Sequence, residues 1–153
     1  MSNRRAKREV IRGDIQQCSD EYGVVPVLSR GGSVHAARRQ PCEQCPWRQD
    51  VPTHRFPAEA FRVSAPTAYD MSESTFGCHM SPADAPATCA GFLLRHGVNN
   101  LGVRMAQISG RLDVSRVKDN GVELYRSYRE MAIANGVDPD DPVLVPVRGD
   151  DDP

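Results

Sequence analysis

Apolar and aromatic side chains are scarce in this sequence. Hydrophobic residues make up 39%, with one Trp, four Tyr and four Phe among 153 residues, below the usual ~45–50% even though that figure also counts Gly. No run of about 18 apolar residues exists, which excludes a transmembrane helix. The charged start, Arg4, Arg5, Lys7, Arg8, has no apolar stretch of the kind a secretory signal needs, so a cytoplasmic location is the expectation. Charge of one sign is lacking too: the net charge is −1, which gives no global pull towards nucleic acid. A Gly-rich phosphate loop, an HExxH pair and a nucleophile elbow are all missing. The common nucleotide-binding, zinc-protease and serine-hydrolase designs therefore have nothing to start from.

The chain is rich in breakers and cysteines. It has 12 Gly, 12 Pro and five Cys. One domain fits this length, but a first half so dense in loops needs something besides apolar burial to hold it, and a bound metal supplies that. A reducing cytosol disfavours disulfides, and intracellular cysteines in a CxxC arrangement point to metal ligands or redox groups.

Four cysteines, Cys42, Cys45, Cys78 and Cys89, are spaced C-x2-C-x32-C-x10-C. Two intervening residues let both sulfurs of a pair bend towards one ion. Tetrahedral zinc takes four thiolates at Zn–S near 2.3 Å, so Cys78 and Cys89 are the candidates for the other half. Cys89 stands where a helix should begin, and a helix N-terminus favours a thiolate. The competing readings are that Cys78 and Cys89 are buried apolar thiols, or that the pair is a thioredoxin-like redox motif, which Pro46 and the polar Arg48-Gln49-Asp50 do not suit. The metal stays open. Zinc is the default for a small thiolate set; a [4Fe-4S] cluster uses the same four thiolates, and Cys45-Pro46 resembles the surroundings of ferredoxin ligands. His79 could stand in for Cys78, but adjacent residues of an extended segment point opposite ways. Cys18 lies in a polar stretch outside the site. Trp47 is expected to shield the site from water, and Arg48 and Asp50 to form a local ion pair.

The predicted fold class is α+β: a small loop-rich, metal-centred lobe of short strands and the CxxC turn, followed by about three helices. Residues 1–33 read as a basic, weakly ordered arm with an edge strand, 34–148 as a single metal-binding domain and 149–153 as an acidic tail. A short helix is expected around Arg4–Val10, an edge strand over Val24–Leu28 because Pro26 cannot donate to a ladder, and a strand over Val34–Ala36. Pro57 opens a helix over Ala58–Ser64 that Pro66 stops. Ser74–Phe76 reads as a strand and Ala90–His96 as a helix closed by Gly97. Asn99 or Asn100 caps a helix carrying Leu101, Val103, Met105 and Ile108, ended by Gly110. Leu124, Tyr128, Met131 and Ala132 fall on one stripe of a helix over Val122–Asn135 with Gly136 as its cap. Val143–Val147 reads as a last edge strand.

Pro41-Cys42-Glu43-Gln44-Cys45-Pro46-Trp47-Arg48-Gln49-Asp50, Cys78-His79-Met80-Ser81, Cys89-Ala90-Gly91-Phe92-Leu93-Leu94 and Asn135-Gly136-Val137 together resemble an uncharacterised family of actinobacteria and their bacteriophages, over roughly residues 38–148. The resemblance implies that the same four cysteines and the histidine after the third form a shared pattern. It implies no activity, substrate or partner.

Three functions compete. The first is a zinc-stabilised binding or regulatory module, acting on a protein partner that docks on the face of Trp47 and the helices after Cys89. Nucleic acid, reached through Arg4, Arg5, Lys7, Arg8 and Arg12, is the less favoured partner, because the acidic tail competes and no aromatic platform for bases is visible. The second is an iron–sulfur protein for redox sensing, electron transfer or cluster-dependent catalysis. The third, a metal-dependent hydrolase using His79 or Asp50 as base, suffers because four thiolates leave no position for water.

Overall fold

The structure, a computed structural model, describes residues 37–81 and 87–148 in full and, of the N-terminal part, the backbone of four strands. The fold is α+β. The strands are β1 (Glu9–Arg12), β2 (Gln16–Ser19), β3 (Tyr22–Val24), β4 (Val27–Arg30) and β5 (Ser74–Phe76); the helices are α1 (Ala58–Ser64), α2 (Ala90–His96), α3 (Leu101–Ile108) and α4 (Tyr128–Ala134). One antiparallel sheet runs β1-β4-β5, with Glu9 opposite Arg30 and Leu28 opposite Phe76; β2 and β3 form a separate two-stranded ribbon.

Several expectations near the N-terminus change. Val10 belongs to β1 and not to a helix. The residues after Pro26 form the central strand of the sheet, not an edge, because β4 is paired on both sides. The expected arm thus contains the backbone of all four of these strands. Pro26, the expected strand Val34–Ala36, the basic residues Arg4 to Arg8 and the tail 149–153 lie outside the described residues.

Each helix boundary has a local cause. Pro57 precedes α1, and the chain tightens through a 3-10 turn at Ala65–Ala68 around Pro66. Asn100 caps α3: its Oδ1 accepts from the Val103 N–H at 3.0 Å. Its Nδ2 donates to the Ser74 carbonyl of β5 at 2.7 Å, so the cap also fastens the helix to the sheet. Asn100 is 1% exposed. Asn100→Ala is expected to lose both functions. A lost cap costs about 0.5–2 kcal/mol and a carbonyl left unpaired about 1–3 kcal/mol, so a total near 2–4 kcal/mol should appear in urea unfolding. A change under ~0.5 kcal/mol would show the cap to be dispensable.

The last helix is shorter than its apolar stripe suggests. Residues 122–127 stay outside the helix, because Leu124 bridges to Arg48 and the Tyr125 N–H donates to the Trp47 carbonyl at 2.9 Å. Ser127 then caps α4 through the Glu130 N–H, and the Glu130 carboxylate reaches back to the Arg126 N–H. At the other end Gly136 (φ 97°) is the left-handed residue: its N–H bonds the Ile133 carbonyl and the Val137 N–H bonds that of Ala132. This double bond pattern closes a helix on a residue that must be Gly or nearly so, and it gives Asn135-Gly136-Val137 its structural meaning. Near the C-terminus a 3-10 turn at Pro142–Leu144 replaces the expected strand, leaving one bridge between Val147 and Tyr69.

The core is shared by loops and helices. Trp47, two residues past Cys45, is fully buried, with its ring 5.8 Å from Tyr128 of α4, 6.0 Å from Phe76 of β5 and 5.6 Å from His96 of α2. Cys45 and Cys89 lie in the same cluster as Phe92, Met131 and Leu144. The cysteine loops therefore have no core apart from that of the helices.

Candidate metal centre

Three of the four cysteines open the same kind of turn. The Cys45 N–H bonds the Cys42 carbonyl at 3.1 Å, the Arg48 N–H that of Cys45 at 3.1 Å, and the Ser81 N–H that of Cys78 at 3.0 Å. In each turn the N–H two residues on, of Gln44, Trp47 or Met80, donates to the cysteine sulfur. A donor aimed at sulfur favours the thiolate, so the repeated turn presents ionised sulfur with a short, rigid backbone. The prolines at 41 and 46 suit such turns. Cys89 is placed differently, as the residue capping α2.

Backbone bonds bring the three segments together. Thr88 bridges to Ala37 on one side and to Gly77 on the other. The Cys89 N–H donates to the Phe76 carbonyl at 2.9 Å and the Cys78 N–H to that of Ala87 at 2.7 Å. Ser81 ties its loop with two bonds, Oγ to the Cys78 carbonyl and the Ala87 N–H to Oγ.

The four cysteines singled out by spacing are neighbours through pairwise contacts. The sulfurs of Cys45 and Cys89 are 3.7 Å apart. The Cys42 thiol is close enough to those of Cys45 and Cys78 to shift with them. These contacts do not form a closed ligand set: among the described residues no group of three or more His, Cys, Asp or Glu is placed to hold a metal ion. Cys45, Cys78 and Cys89 are buried and Cys42 is half-buried. Cys42 forms part of the wall of an open depression of about 850 Å³, with Arg38, Arg39, Arg48, Met80 and Asn120 around it.

The thiols hold one another's protons. The bond with Cys45 pushes the Cys42 thiol up, against the bond with Cys78, and burial adds to the rise. For Cys45 the bond with Cys42 pulls down, but the bond with Cys89 and burial outweigh it and push the thiol well up. The bond with Cys42 and then burial raise Cys78, opposed by Arg38, whose Nε donates to its sulfur at 3.3 Å. Crowded thiols cannot all ionise alone, whereas a divalent cation deprotonates a coordinating thiol outright.

Of the neighbours, Arg48 and Asp50 form the expected ion pair, bidentate at 2.7 and 2.6 Å, and Arg48 also reaches the Cys42 carbonyl. The His79 ring packs edge-on against Phe56 at 5.1 Å; burial, then Arg55 and Arg38, lower its pKa to about 4. Trp47 is too deep to form a docking face, which removes it from the expected partner surface. Sequence reasoning missed Arg38, since nothing marks an arginine four residues before Cys42 as a donor to Cys78. It also missed Gly91, where an added Cβ would stand 2.6 Å from Trp47 Cβ. There the signal was present as a glycine inside a helical stretch.

The model of a family of unknown function (DUF6283) matches residues 37–148, and the chain belongs to that family. No curated protein and no solved structure matches. Among the described residues no helix is long and apolar enough to cross a membrane.

Proposed function

We propose that this member of a family of unknown function is a zinc-stabilised binding or regulatory module, with Cys42, Cys45, Cys78 and Cys89 as the four ligands of one ion. The observation that carries this reading is the 3.7 Å separation of the Cys45 and Cys89 sulfurs. Zn–S bonds near 2.3 Å give a tetrahedron with edges of about 3.8 Å. A cubane cluster would place each sulfur on a different iron and hold them wider. The three N–H···S turns supply the donors that a thiolate set needs around it. Four thiolates fill the coordination of zinc, so the reading is of a structural ion and not of a catalytic one. A cytoplasmic setting goes with free thiols, and an actinobacterial or bacteriophage source goes with the run of four motifs.

Cys45-Pro46 favours a second reading, a [4Fe-4S] cluster on the same cysteines. Metal analysis and an absorption spectrum of protein purified without oxygen separate the two. About one zinc per chain and a featureless visible spectrum are expected; iron with a broad visible band overturns zinc in favour of the cluster, and no metal at all overturns both.

A pH profile tests the site independently. In the metal-free protein Cys42, Cys45 and Cys78 titrate above their ordinary value of 9.0. The folded form then binds more protons than the unfolded chain above that pH. Stability that is present below it is lost as pH rises. With zinc bound the folded thiols are already ionised, and protons compete with the metal, so stability is lost on acidification instead. Melting temperatures between about pH 6 and about pH 10, with and without chelator, should therefore slope in opposite directions. Parallel profiles would remove the metal from the account.

A further inference from the structure

Access separates the four sulfurs. Cys45 is 1% exposed, Cys78 5% and Cys89 4%, whereas Cys42 is only half-buried. Of the four, Cys42 alone lines the open depression of about 850 Å³. The charges around that space are mixed: Arg38, Arg39 and Arg48 stand with Glu43 and Asp119. Arg48 is held by Asp50, and Arg38 donates to Cys78. No excess of one sign draws in an ionic ligand, and among the described residues that line the space there is no aromatic ring to hold a flat one. The depression therefore admits small neutral molecules, and one of the groups they meet there is a sulfur.

The backbone places a second sulfur near that one. Cys42 and Cys45 are the two ends of a hydrogen-bonded turn, in which the Cys45 N–H donates to the Cys42 carbonyl at 3.1 Å. Such a turn brings its end Cα atoms within about 7 Å of each other, and a disulfide takes Cα atoms about 4.4–6.8 Å apart. The sulfurs of Cys45 and Cys89 are also close, at 3.7 Å, but both are buried and neither lines the depression.

We propose that Cys42 is a modification site for oxidants of the peroxide class, and that its oxidation closes a Cys42–Cys45 disulfide. This rests on the reading of the four cysteines as ligands of one ion and adds a regulation of that site. The thiolate is the reacting form of cysteine, and a coordinating cation keeps it ionised. The Cys42 thiolate attacks one oxygen of hydrogen peroxide; the O–O bond breaks, and hydroxide leaves and takes a proton from solvent. Cys42 is then a sulfenic acid, which condenses with a neighbouring thiol. The Cys45 thiolate attacks its sulfur, the S–O bond breaks, and a second hydroxide leaves and takes a second proton. In sum the two thiolates lose two electrons, hydrogen peroxide gains them, and two waters form. The disulfide no longer supplies thiolates, so only Cys78 and Cys89 are left of the four ligands that a structural zinc needs.

The test uses the full chain, purified without oxygen, and hydrogen peroxide as the probe. Trypsin cuts after Arg39 and Arg48, so both cysteines of the pair fall in the peptide 40–48, and the disulfide shows as the loss of two hydrogens from its mass. With less peroxide than protein and dimedone present, the sulfenic acid label should fall on Cys42 at least about tenfold more than on Cys45, Cys78 or Cys89. Without dimedone, the peptide should lose two hydrogens as zinc appears on a colorimetric chelator. Cys42→Ser should slow that release at least about tenfold, and dithiothreitol with added zinc should restore the reduced peptide and the metal in the wild type. Label spread evenly over the four, or first on a cysteine other than Cys42, overturns the proposal. So does a disulfide between other partners, Cys18 included, or zinc release without the bond inside 40–48. The labelling uses the unaltered chain and decides the matter even where Cys42→Ser does not fold. Metal is assayed in the same samples: metal-free protein in which Cys42 is labelled first and closes on Cys45 sinks the zinc reading alone, and zinc-loaded protein whose zinc and thiols survive peroxide sinks the modification site alone.

Discussion

On the proposed zinc reading, Cys45→Ser is expected to release the ion and to abolish the cooperative thermal transition. Cys45 is 1% exposed, its sulfur is 3.7 Å from that of Cys89, and it lies in one cluster with Trp47, Phe92 and Met131. A structural zinc contributes an apparent ~10–16 kcal/mol in small zinc modules, against a net stability of only about 5–15 kcal/mol for a whole domain. Loss of a central ligand is then comparable with everything that holds the fold. Cys42→Ser should do less, because Cys42 is half-buried beside an open depression and water can take its place. Metal content after gel filtration and melting by circular dichroism check the order. Hydrogen exchange adds a second reading. Because Trp47 packs on Tyr128, protection in α1 and α4 should fall together in Cys45→Ser. A metal-held first lobe that comes loose alone, which the loop-rich sequence suggests, is not expected from this shared core. Cys45→Ser protein that keeps about one zinc and the wild-type transition would show the ion, if any, to be bound elsewhere.

Gly91→Ala is the second large effect, and its sign decides between two physical terms. Ala is better than Gly in a helix by about 0.8–1 kcal/mol, so an open site would gain stability. Here the new Cβ would meet Trp47 Cβ at 2.6 Å, Cγ at 2.7 Å and Cδ1 at 2.9 Å. These atoms sit at the root of a fully buried side chain that is hemmed in by Phe76, His96 and Tyr128, so they cannot swing away. Overpacking of a filled core costs about 1–3 kcal/mol, at times more, and it exceeds the propensity gain. Gly91 also follows Cys89 by two residues. A helix pushed away from Trp47 carries the Cys89 sulfur away from Cys45. Gly91→Ala should therefore lower the melting temperature and, on the proposed zinc reading, give the ion up more readily to a colorimetric chelator. A variant as stable as the wild type, or more so, would mean that α2 and the CxxC turn do not approach this closely.

Where a segment's conformation is set by its own neighbours, sequence and structure agree. Pro57 and the following residues give α1 with the expected bounds, Ala90–His96 and Ser74–Phe76 fall as read, and Asn135-Gly136 closes α4 because only a residue tolerant of φ 97° can. The CxxC spacing singles out its turn because two residues between cysteines leave few backbone paths. Other features depend on partners distant in the chain. Leu124 keeps the apolar stripe of α4 in register, yet residues 122–127 stay outside the helix because Leu124 and Tyr125 bond to Arg48, Gln49 and Trp47, some 75 residues away. Pro26 signals an edge, yet the residues after it pair on both sides.

The sequence by itself determined the CxxC turn and most helix ends, since each rests on backbone geometry within a few residues. Only the tertiary structure decided that Cys78 and Cys89 reach the first pair, through the Thr88 bridges. The same packing buries Trp47 instead of displaying it, points Arg38 at Cys78, and turns Met105 and Ile108 of α3 outward while Val103 and Ala106 go in. Helical periodicity gives the positions of an apolar stripe, but on a helix with two such stripes the choice of the inner one belongs to the surfaces it meets. Those surfaces, β5 and α2 above all, are assembled from residues that only the folded chain brings near.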